Sequence, residues 1–486
     1  MRHLENAHNI QLEAVEERVL ERSRGLRREL GLADLVLAQL MYMMIPEYFG
    51  TAAKAGPSHV VLWLLAIAAF FVPLALVVSH LNRLIPLEGG LYEWARVAFN
   101  VRVGFFVAWN LWLYVVMYMA LVGLVTTNFV AYSLGPKAAW MTENKWLVLA
   151  TSVGLMVAMI SLARYGFGVG KWVTNVGSVF TVIVLGALVV MPLVNPRHGT
   201  SSAYHPLKLV LPPLTLFSLS VFSKMAFGAL CGFEYVAIFA GECRRPEKNL
   251  ARSILLTAPI IALFYIFGTS AILAFIPPDS VNVIAPIPQA LGRGFHSWGF
   301  SGVIIPLAIL MLLCNYLGTF NVNFNGSARL PMVAGWDRLL PEWFTRLHPK
   351  YKTPTNSIYF AGGVALAASI AVLIGVGEQE AFELLLVWAF TFYATAYLVL
   401  FAIPVLAQKE MGIRPALWLR IAAGSGFLVT LLAVVLSVFP IVDVRGRWEY
   451  FAKTVAVIAG GNALGALLWC LRPRTQERGA SHIAAD

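Results

Sequence analysis

The fold of this chain is decided by AQLMYMMIPEYFG at residues 38–50 and by KMAFGALCGFEY at residues 224–235. In each stretch an apolar run is interrupted. Pro46 lacks a backbone donor and blocks the first helix from continuing smoothly, and Gly228 and Gly232 bracket the second interruption. A glutamate followed by a tyrosine comes after each interruption. We therefore predict two helices that break in the middle.

Both stretches belong to apolar runs that recur along the whole chain. The 486 residues are 59% hydrophobic and only 13% charged, whereas a soluble domain carries roughly 25% charged residues. The runs are about 18–25 residues long, which is enough for a helix to cross a hydrocarbon core of about 30 Å. Alternating segments of about ten residues, typical of outer-membrane strands, do not occur. The composition predicts an all-α polytopic membrane protein.

About twelve transmembrane helices are expected, and the two breaks fall in the first and the sixth. A core of two inverted five-helix repeats makes those two helices equivalent, so we predict a five-plus-five inverted repeat with helices 1 and 6 broken. The predicted spans are 31–53, 58–80, 103–133, 146–163, 172–194, 215–241, 252–276, 301–330, 356–376, 381–407, 416–440 and 450–471.

The predicted spans divide the chain into a transport core and flanking parts. Residues 31–407 form the ten-helix core and residues 408–471 form two further helices. Polar tails of residues 1–30 and 472–486 precede and follow them. The first thirty residues do not resemble a cleaved signal peptide, so we expect the first apolar helix to direct insertion.

The distribution of basic residues predicts the orientation in the membrane. The formal net charge is +11, but the basic residues lie in alternate short loops and in the tails. With the N-terminus in the cytoplasm, the cytoplasmic segments hold about 25 Lys and Arg residues against roughly nine in the outward loops. We therefore expect a cytoplasmic (inner) membrane protein with both termini in the cytoplasm, the lipid bilayer as its surroundings and no nucleic-acid partner.

Motifs of enzymes and metal sites are missing. The string GFGVGKW, residues 166–172, lacks the spacing and the Ser or Thr of a phosphate-binding loop. The histidines make no H-x-x-x-H pair, the four cysteines have no paired spacing, and no G-x-S-x-G elbow occurs. We expect no catalytic residue, no cofactor and no metal, and hence a protein that is not an enzyme.

Four motifs, in order, resemble the amino acid–polyamine–organocation superfamily and its bacterial amino acid permease branch. They are GLADLVLA (31–38), IPLEGGLYEWARVAFN (85–100), GFEYVAIFAGECRRPEKNLARSI (232–254) and GSARLPMVAGWDRLLPEWFTRLHPKYKTPTNSI (326–358). The resemblance covers nearly the whole chain. It implies a secondary transporter, a permease or exchanger, that carries an amino acid or related amine by alternating access. A polyamine or γ-aminobutyrate antiporter and a substrate sensor that does not transport are the alternatives.

The resemblance also implies that a small-molecule substrate binds between the broken helices, with help from helices 3, 8 and 10. Broken helices at membrane depth are tolerated where they line a cavity, and their free ends can bind a carboxylate or an ammonium. The expected substrate-binding residues are Ile45, Pro46, Glu47, Tyr48, Asn110, Phe227, Gly228, Cys231, Gly232, Phe233, Glu234 and Tyr393.

One departure from the superfamily pattern concerns the first break. Relatives carry a G-[SA]-G triplet whose amides hold the substrate carboxylate, and Ile45, Pro46 and Glu47 occupy that place. Pro46 has no amide to donate, and Glu47 repels a carboxylate. An anionic residue in this position suits a cationic group, so it shifts the expected substrate towards amines.

Two other departures concern the gate and the coupling ion. The position that often carries a bulky aromatic gate in the sixth helix aligns with Gly228, next to Phe227. Where many relatives have a lysine in the fifth span, this chain has Thr181. Coupling to H⁺ or Na⁺ therefore stays open, with Thr181, Glu47 and Glu234 as candidates.

Lys224 is a cation inside the predicted sixth span. Long basic side chains near helix ends extend towards the membrane surface, and we expect Lys224 to do so. It supplies a cation to the cavity only if it faces inward.

Overall fold

A computed structural model describes residues 30–84, 90–165, 171–194, 209–234, 243–244, 246–296, 299–336, 341–351, 353–407 and 415–471. Residues 1–29 of the predicted N-terminal tail, the predicted C-terminal tail and residues 235–241 of the predicted sixth span lie outside these ranges.

Within the described ranges, one isolated bridge pairs Leu30 with Cys243, and the rest is helix, turn and loop. The helices are α1 (Leu32–Met43), α2 (Glu47–Ala53), α3 (Gly56–Leu84), α4 (Leu91–Ala98), α5 (Val101–Leu134), α6 (Lys145–Arg164), α7 (Lys171–Val194), α8 (Leu216–Ala229), α9 (Pro246–Phe275), α10 (Pro286–Gly294), α11 (Ser301–Trp336), α12 (Thr355–Gly375), α13 (Glu378–Leu406), α14 (Leu417–Leu436) and α15 (Arg447–Leu471).

Ten helices in the described part are long and apolar enough to cross a membrane. They are α3, α5, α6, α7, α9 and α11 to α15. Two further apolar helices, α1 and α8, are too short to cross, and they begin the first and the sixth predicted spans. The prediction of an all-α polytopic protein with helices 1 and 6 interrupted is therefore confirmed.

Helices α5 and α13 lie at the centre of the bundle. In each, 83% of the most apolar 18-residue window is buried, against 11% for α15. A helix that is apolar all round and buried all round belongs in a core, and α13 packs along α5. The aromatic and acidic side chains of these two helices therefore point at neighbouring helices and not at lipid.

Glycines let several of the helices approach closely, as small residues do in membrane bundles. A β-carbon at Gly123 of α5 would lie 2.0 Å from Ser152 Oγ and 2.4 Å from Ser152 Cα of α6. Gly465 of α15 makes room in the same way for the ring of Trp109 on α5. These contacts set the spacing of the helices around the central pair.

Candidate functional site

The first helix breaks between Met43 and Glu47, and one tyrosine from another helix satisfies the backbone there. The Tyr265 hydroxyl, on α9, donates to the carbonyl oxygen of Met43 at 2.7 Å. The Tyr265 hydroxyl oxygen in turn accepts from the amide of Ile45 at 3.1 Å. Pro46 stands immediately before α2 and has no amide that would need a partner. The break is therefore a stable structure with its exposed polar groups paired.

The second break follows α8, whose last six residues, Lys224–Ala229, form a π-helix. Gly232 adopts φ +121°, a conformation that side chains rarely allow, and its amide donates to Tyr397 Oη at 2.8 Å. Tyr397 and Tyr393, both on α13, donate to the two carboxylate oxygens of Glu234. Here too a tyrosine hydroxyl satisfies the freed backbone.

Glu234 and Glu47 differ in how they are satisfied. Both side chains are buried, and the two oxygens of Glu234 accept tyrosine hydroxyls. Glu47 is completely buried, and among the described residues neither of its oxygens has a well-aligned hydrogen bond and no side chain forms an ion pair with it. Its electrostatic neighbours include the hydroxyls of Tyr118 and Tyr316. The first break thus holds an uncompensated carboxylate among aromatic rings.

Stacked aromatic rings connect the two carboxylates. Tyr114 of α5 stacks on Tyr393 with ring centres 4.2 Å apart, which joins α5 to the residue that holds Glu234. Tyr118, one turn further along α5, stacks on Phe320 of α11 at 5.1 Å. Phe390 of α13 contacts both tyrosines through its edge. Offset and edge-to-face contacts of this kind stabilise a fixed arrangement of rings.

A small cavity lies beside the breaks. Its volume is about 40 Å³. One water molecule needs about 10–15 Å³ of such space, so the cavity accommodates a few waters and no amino acid. Neither Glu47 nor Glu234 lines it. Its walls come from α2, α8, α13 and α14 with the residue that ends α14: Tyr48, Thr51, Ser223, Lys224, Phe227, Gly228, Glu383, Leu386, Val387, Phe390, Thr391, Ala394, Ala433 and Ser437.

Lys224 reaches the loop that follows α14 and also pairs with a carboxylate in the cavity wall. Its Nζ lies 3.2 Å from Glu383 Oε1 and donates to the Phe439 carbonyl at 2.7 Å and to Ser220 Oγ at 3.1 Å. The reason is that α13 presents a carboxylate within reach, and a carboxylate buried at membrane depth requires a partner. Lys224 therefore forms part of the cavity wall, neutralised by Glu383.

The structure brings most of the predicted site residues together and separates two. Ile45 and Pro46 lie at the first break, and Tyr48 packs onto Gly228. Cys231 Sγ contacts the Gly228 carbonyl at 3.5 Å, and Phe233 stacks on Phe71.

Asn110 and Thr181 contact other parts of the bundle. Asn110 Nδ2 donates to Asn462 Oδ1 of α15 at 2.9 Å. Thr181 donates to the Gly177 carbonyl of its own helix at 3.1 Å.

Five buried residues at the site were not predicted from the sequence: Tyr118, Tyr265, Tyr316, Glu383 and Tyr397. The sequence nevertheless contained an indication of each. Each carries a polar group within an apolar span, where an unpaired hydroxyl or carboxylate is costly, so each had to find a partner or a cavity. The sequence did not indicate which helix would supply that partner.

In the described part of the chain, ten helices long enough to cross a membrane and two interrupted helices beside the cavity define a polytopic membrane fold. The solved structure of MhsT in complex with L-phenylalanine matches this fold with a TM-score of 0.60, covering 85% of this chain and 99% of that one at 14% sequence identity. The sequence profile of the family described as amino acid permease matches residues 35–460, and this chain belongs to that family.

Curated relatives agree with the family. An uncharacterized transporter of Legionella pneumophila is 24% identical over 425 residues, which cover 85% of this chain and 90% of the relative. A probable agmatine/putrescine antiporter of Lactococcus lactis is 25% identical over 60% of this chain and 61% of its own length. The branched-chain amino acid permease BcaP of Bacillus subtilis is 24% identical over 74% and 80%. The expected superfamily is thus confirmed, and membership implies a small-molecule substrate.

Proposed function

We propose that this protein is a secondary transporter that moves an amine across the cytoplasmic membrane by alternating access. The observation that carries the proposal is Glu47, a buried carboxylate at the break of the first helix that has no cation and no well-aligned hydrogen bond among the residues that the structure describes. An uncompensated charge at membrane depth is expensive and is a mark of function. A cationic substrate supplies the missing charge when it binds.

The surroundings of Glu47 suit an ammonium group. The phenol groups of Tyr118 and Tyr316 are electrostatic neighbours of the carboxylate. Aromatic rings attract a cation placed over their face by about 0.5–2 kcal/mol. A substrate carboxylate finds no amide at Pro46 and meets the negative charge of Glu47. Among the relatives, the one whose name gives amines as substrates, agmatine and putrescine, fits this chemistry better than the branched-chain amino acid permease.

The other predicted residues take supporting roles in this proposal. Tyr48, Phe227 and Phe233 contact the carbon chain of the substrate, and Cys231 and Gly232 leave room for it. Glu234 receives a second amino group or responds to its arrival through Tyr393 and Tyr397, because those two hydroxyls donate to its oxygens.

Coupling to an ion is also part of the proposal. A proton on Glu47 neutralises the same charge that the substrate neutralises, so proton and amine compete for one group and can be exchanged for each other. Glu234 can play the same part. Na⁺ at Thr181 is the alternative, because the Thr181 oxygen keeps lone pairs free after its proton is donated to Gly177. The excess of basic residues in alternate loops supports cytoplasmic termini.

The experiment is counterflow in proteoliposomes with labelled putrescine, agmatine, γ-aminobutyrate and leucine. We expect saturable exchange of the amines, strongest for putrescine and agmatine, and a loss of at least 100-fold in Glu47→Gln. Glu378→Gln is the matched control, because Glu378 is bonded to Asn128 at the start of α13. Exchange of leucine in preference to amines, or full amine exchange by Glu47→Gln, would overturn the proposal.

Replacing Na⁺ by choline, and separately collapsing the pH gradient, assigns the coupling ion. If transport is coupled to protons, uptake continues when choline replaces Na⁺. The substrate is then no longer accumulated against its gradient once the pH gradient is collapsed. If uptake depends on Na⁺ and this dependence is lost in Thr181→Ala, the coupling ion is Na⁺ and Thr181 is part of its site.

A further inference from the structure

An aromatic layer separates the cavity from the two buried carboxylates. Tyr48, Phe227 and Phe390 line the cavity on one side. On the other side, the rings of Phe227 and Phe390 lie 6.0 and 6.3 Å from Tyr393, which holds Glu234. These rings therefore lie between the cavity and the tyrosine that holds Glu234.

Tyr48 packs into the space above Gly228. A β-carbon placed on Gly228 would lie 2.1 Å from both Oη and Cζ of Tyr48, well inside the distance at which carbon atoms can pack. Tyr48 itself is almost completely buried. The absence of a side chain at position 228 is thus what allows the ring from the first helix to lie across the second break.

The rings of the layer differ in how many other aromatic rings they contact. Phe227 contacts Phe70, Tyr393 and Tyr397, with ring centres 5.2–6.0 Å apart. Within the described residues, Tyr48 has one ring contact, with the edge of Phe390 at 5.3 Å.

Tyr48 also belongs to the seven-residue helix α2, which begins just after the first break. Fewer ring contacts and a short supporting helix make Tyr48 the ring that can leave the layer at the lowest cost.

We propose that Tyr48 is the gating side chain between the cavity and the two buried carboxylates, and that Gly228 leaves the space in which its ring packs. The gate comes from the first helix, and the sixth helix supplies only the surface it closes on. This inference rests on the proposed transport function for its purpose, but its geometry can be tested without any substrate.

Cys231 provides a native reporter behind the gate. It is buried, does not line the cavity, and lies next to both Gly228 and Tyr48. With the other three cysteines replaced by serine, the labelling rate of Cys231 by a membrane-impermeant maleimide measures whether the layer is closed. The reagent is added separately to each side of sealed proteoliposomes.

Tyr48→Ala should raise the labelling rate of Cys231 at least tenfold from the side that holds the α14–α15 loop, residues 437–446, and leave the other side unchanged. Tyr48→Phe keeps the ring and should keep Cys231 protected. Equal protection in Tyr48→Ala and Tyr48→Phe, with both proteins monodisperse, would overturn the gate. So would an equal rise from both sides, which is the signature of a loosened fold.

A ring exchange between the two positions gives a second, independent readout. Gly228→Phe alone places a ring where Tyr48 already lies, so we expect this variant to lose stability or to expose Cys231. Combining it with Tyr48→Gly moves the ring to the sixth helix and should restore protection of Cys231. A double variant as open to labelling as Tyr48→Ala would refute the assignment of Gly228.

The outcomes distinguish this inference from the proposed function. If Tyr48→Ala raises the labelling rate of Cys231 and no amine is exchanged, the gate proposal is supported and the amine proposal is refuted. If amines are exchanged and Tyr48→Ala leaves Cys231 protected, the amine proposal stands and the gate falls.

Discussion

Replacing Lys224 with methionine should destabilise the protein by leaving a buried carboxylate without its cation. The side chains of Lys224 and Glu383 are 12% and 2% exposed. Methionine has about the same length but removes the bonds to Glu383, to the Phe439 carbonyl and to Ser220. Glu383 then keeps one weak contact, the amide of Ile441 at 3.4 Å.

The expected cost follows from the asymmetry of buried ion pairs. Removing one partner of such a pair costs about 3–5 kcal/mol, whereas replacing both by uncharged side chains is often neutral. Because Lys224 retains some exposure, we expect Lys224→Met to cost about 3 kcal/mol, which is roughly a 150-fold shift in the unfolding equilibrium. Lys224→Met combined with Glu383→Gln leaves no buried charge and should recover about 2 kcal/mol of that loss.

The assay is a double-mutant cycle on the free energy of unfolding, measured by SDS titration in mixed micelles. Lys453→Met serves as the control because Lys453 pairs with Glu449 in a far more exposed position, and we expect it to unfold like the parent protein. The reasoning is refuted if the double variant is no more stable than Lys224→Met, since the two charges are then not coupled. It is also refuted if Lys453→Met is equally destabilising.

Two further substitutions test the packing of the helices. Gly123→Ala should lower the free energy of unfolding by about 1–3 kcal/mol, because the added carbon meets the backbone of Ser152; Gly154→Ala, which meets nothing within 4 Å, is the control and should unfold like the parent in the same titration. Asn110→Ala should cost about 0.6 kcal/mol, the average for an interhelical hydrogen bond in a membrane protein, through loss of the bond to Asn462. We expect it to leave amine exchange in the counterflow assay unchanged, and a selective loss of exchange would restore Asn110 to the substrate site.

The helices and their breaks were predictable because they depend on local properties. An apolar run of about 20 residues has no stable position except across a membrane, and its backbone must be paired within the helix. Pro46 and the pair Gly228 and Gly232 prevent that pairing at two places, so the interruptions appear in the sequence itself. The described helices begin and end within a few residues of most predicted spans for the same reason.

The partners at the site were less predictable because they depend on contacts between distant parts of the chain. Tyr265 closes a break more than 200 residues before it, and Tyr397 closes one more than 160 residues before it. A hydroxyl within an apolar span indicates that a hydrogen-bond partner is needed, but the sequence does not identify that partner. Asn110 and Lys224 show the same limit: both were recognised as polar residues inside spans, and their partners on α15 and α13 were not.

By itself, the sequence determined that the protein is a helical membrane transporter with two interrupted helices, because apolar length, helix-breaking residues and family motifs can all be read along the chain. Only the tertiary structure decided which of its charges are compensated. It pairs Lys224 with Glu383, gives Glu234 two tyrosine hydroxyls and places no cation beside Glu47 among the described residues. The physical reason is that compensation of a buried charge requires contact within a few ångströms, and contact is a property of the packed helices.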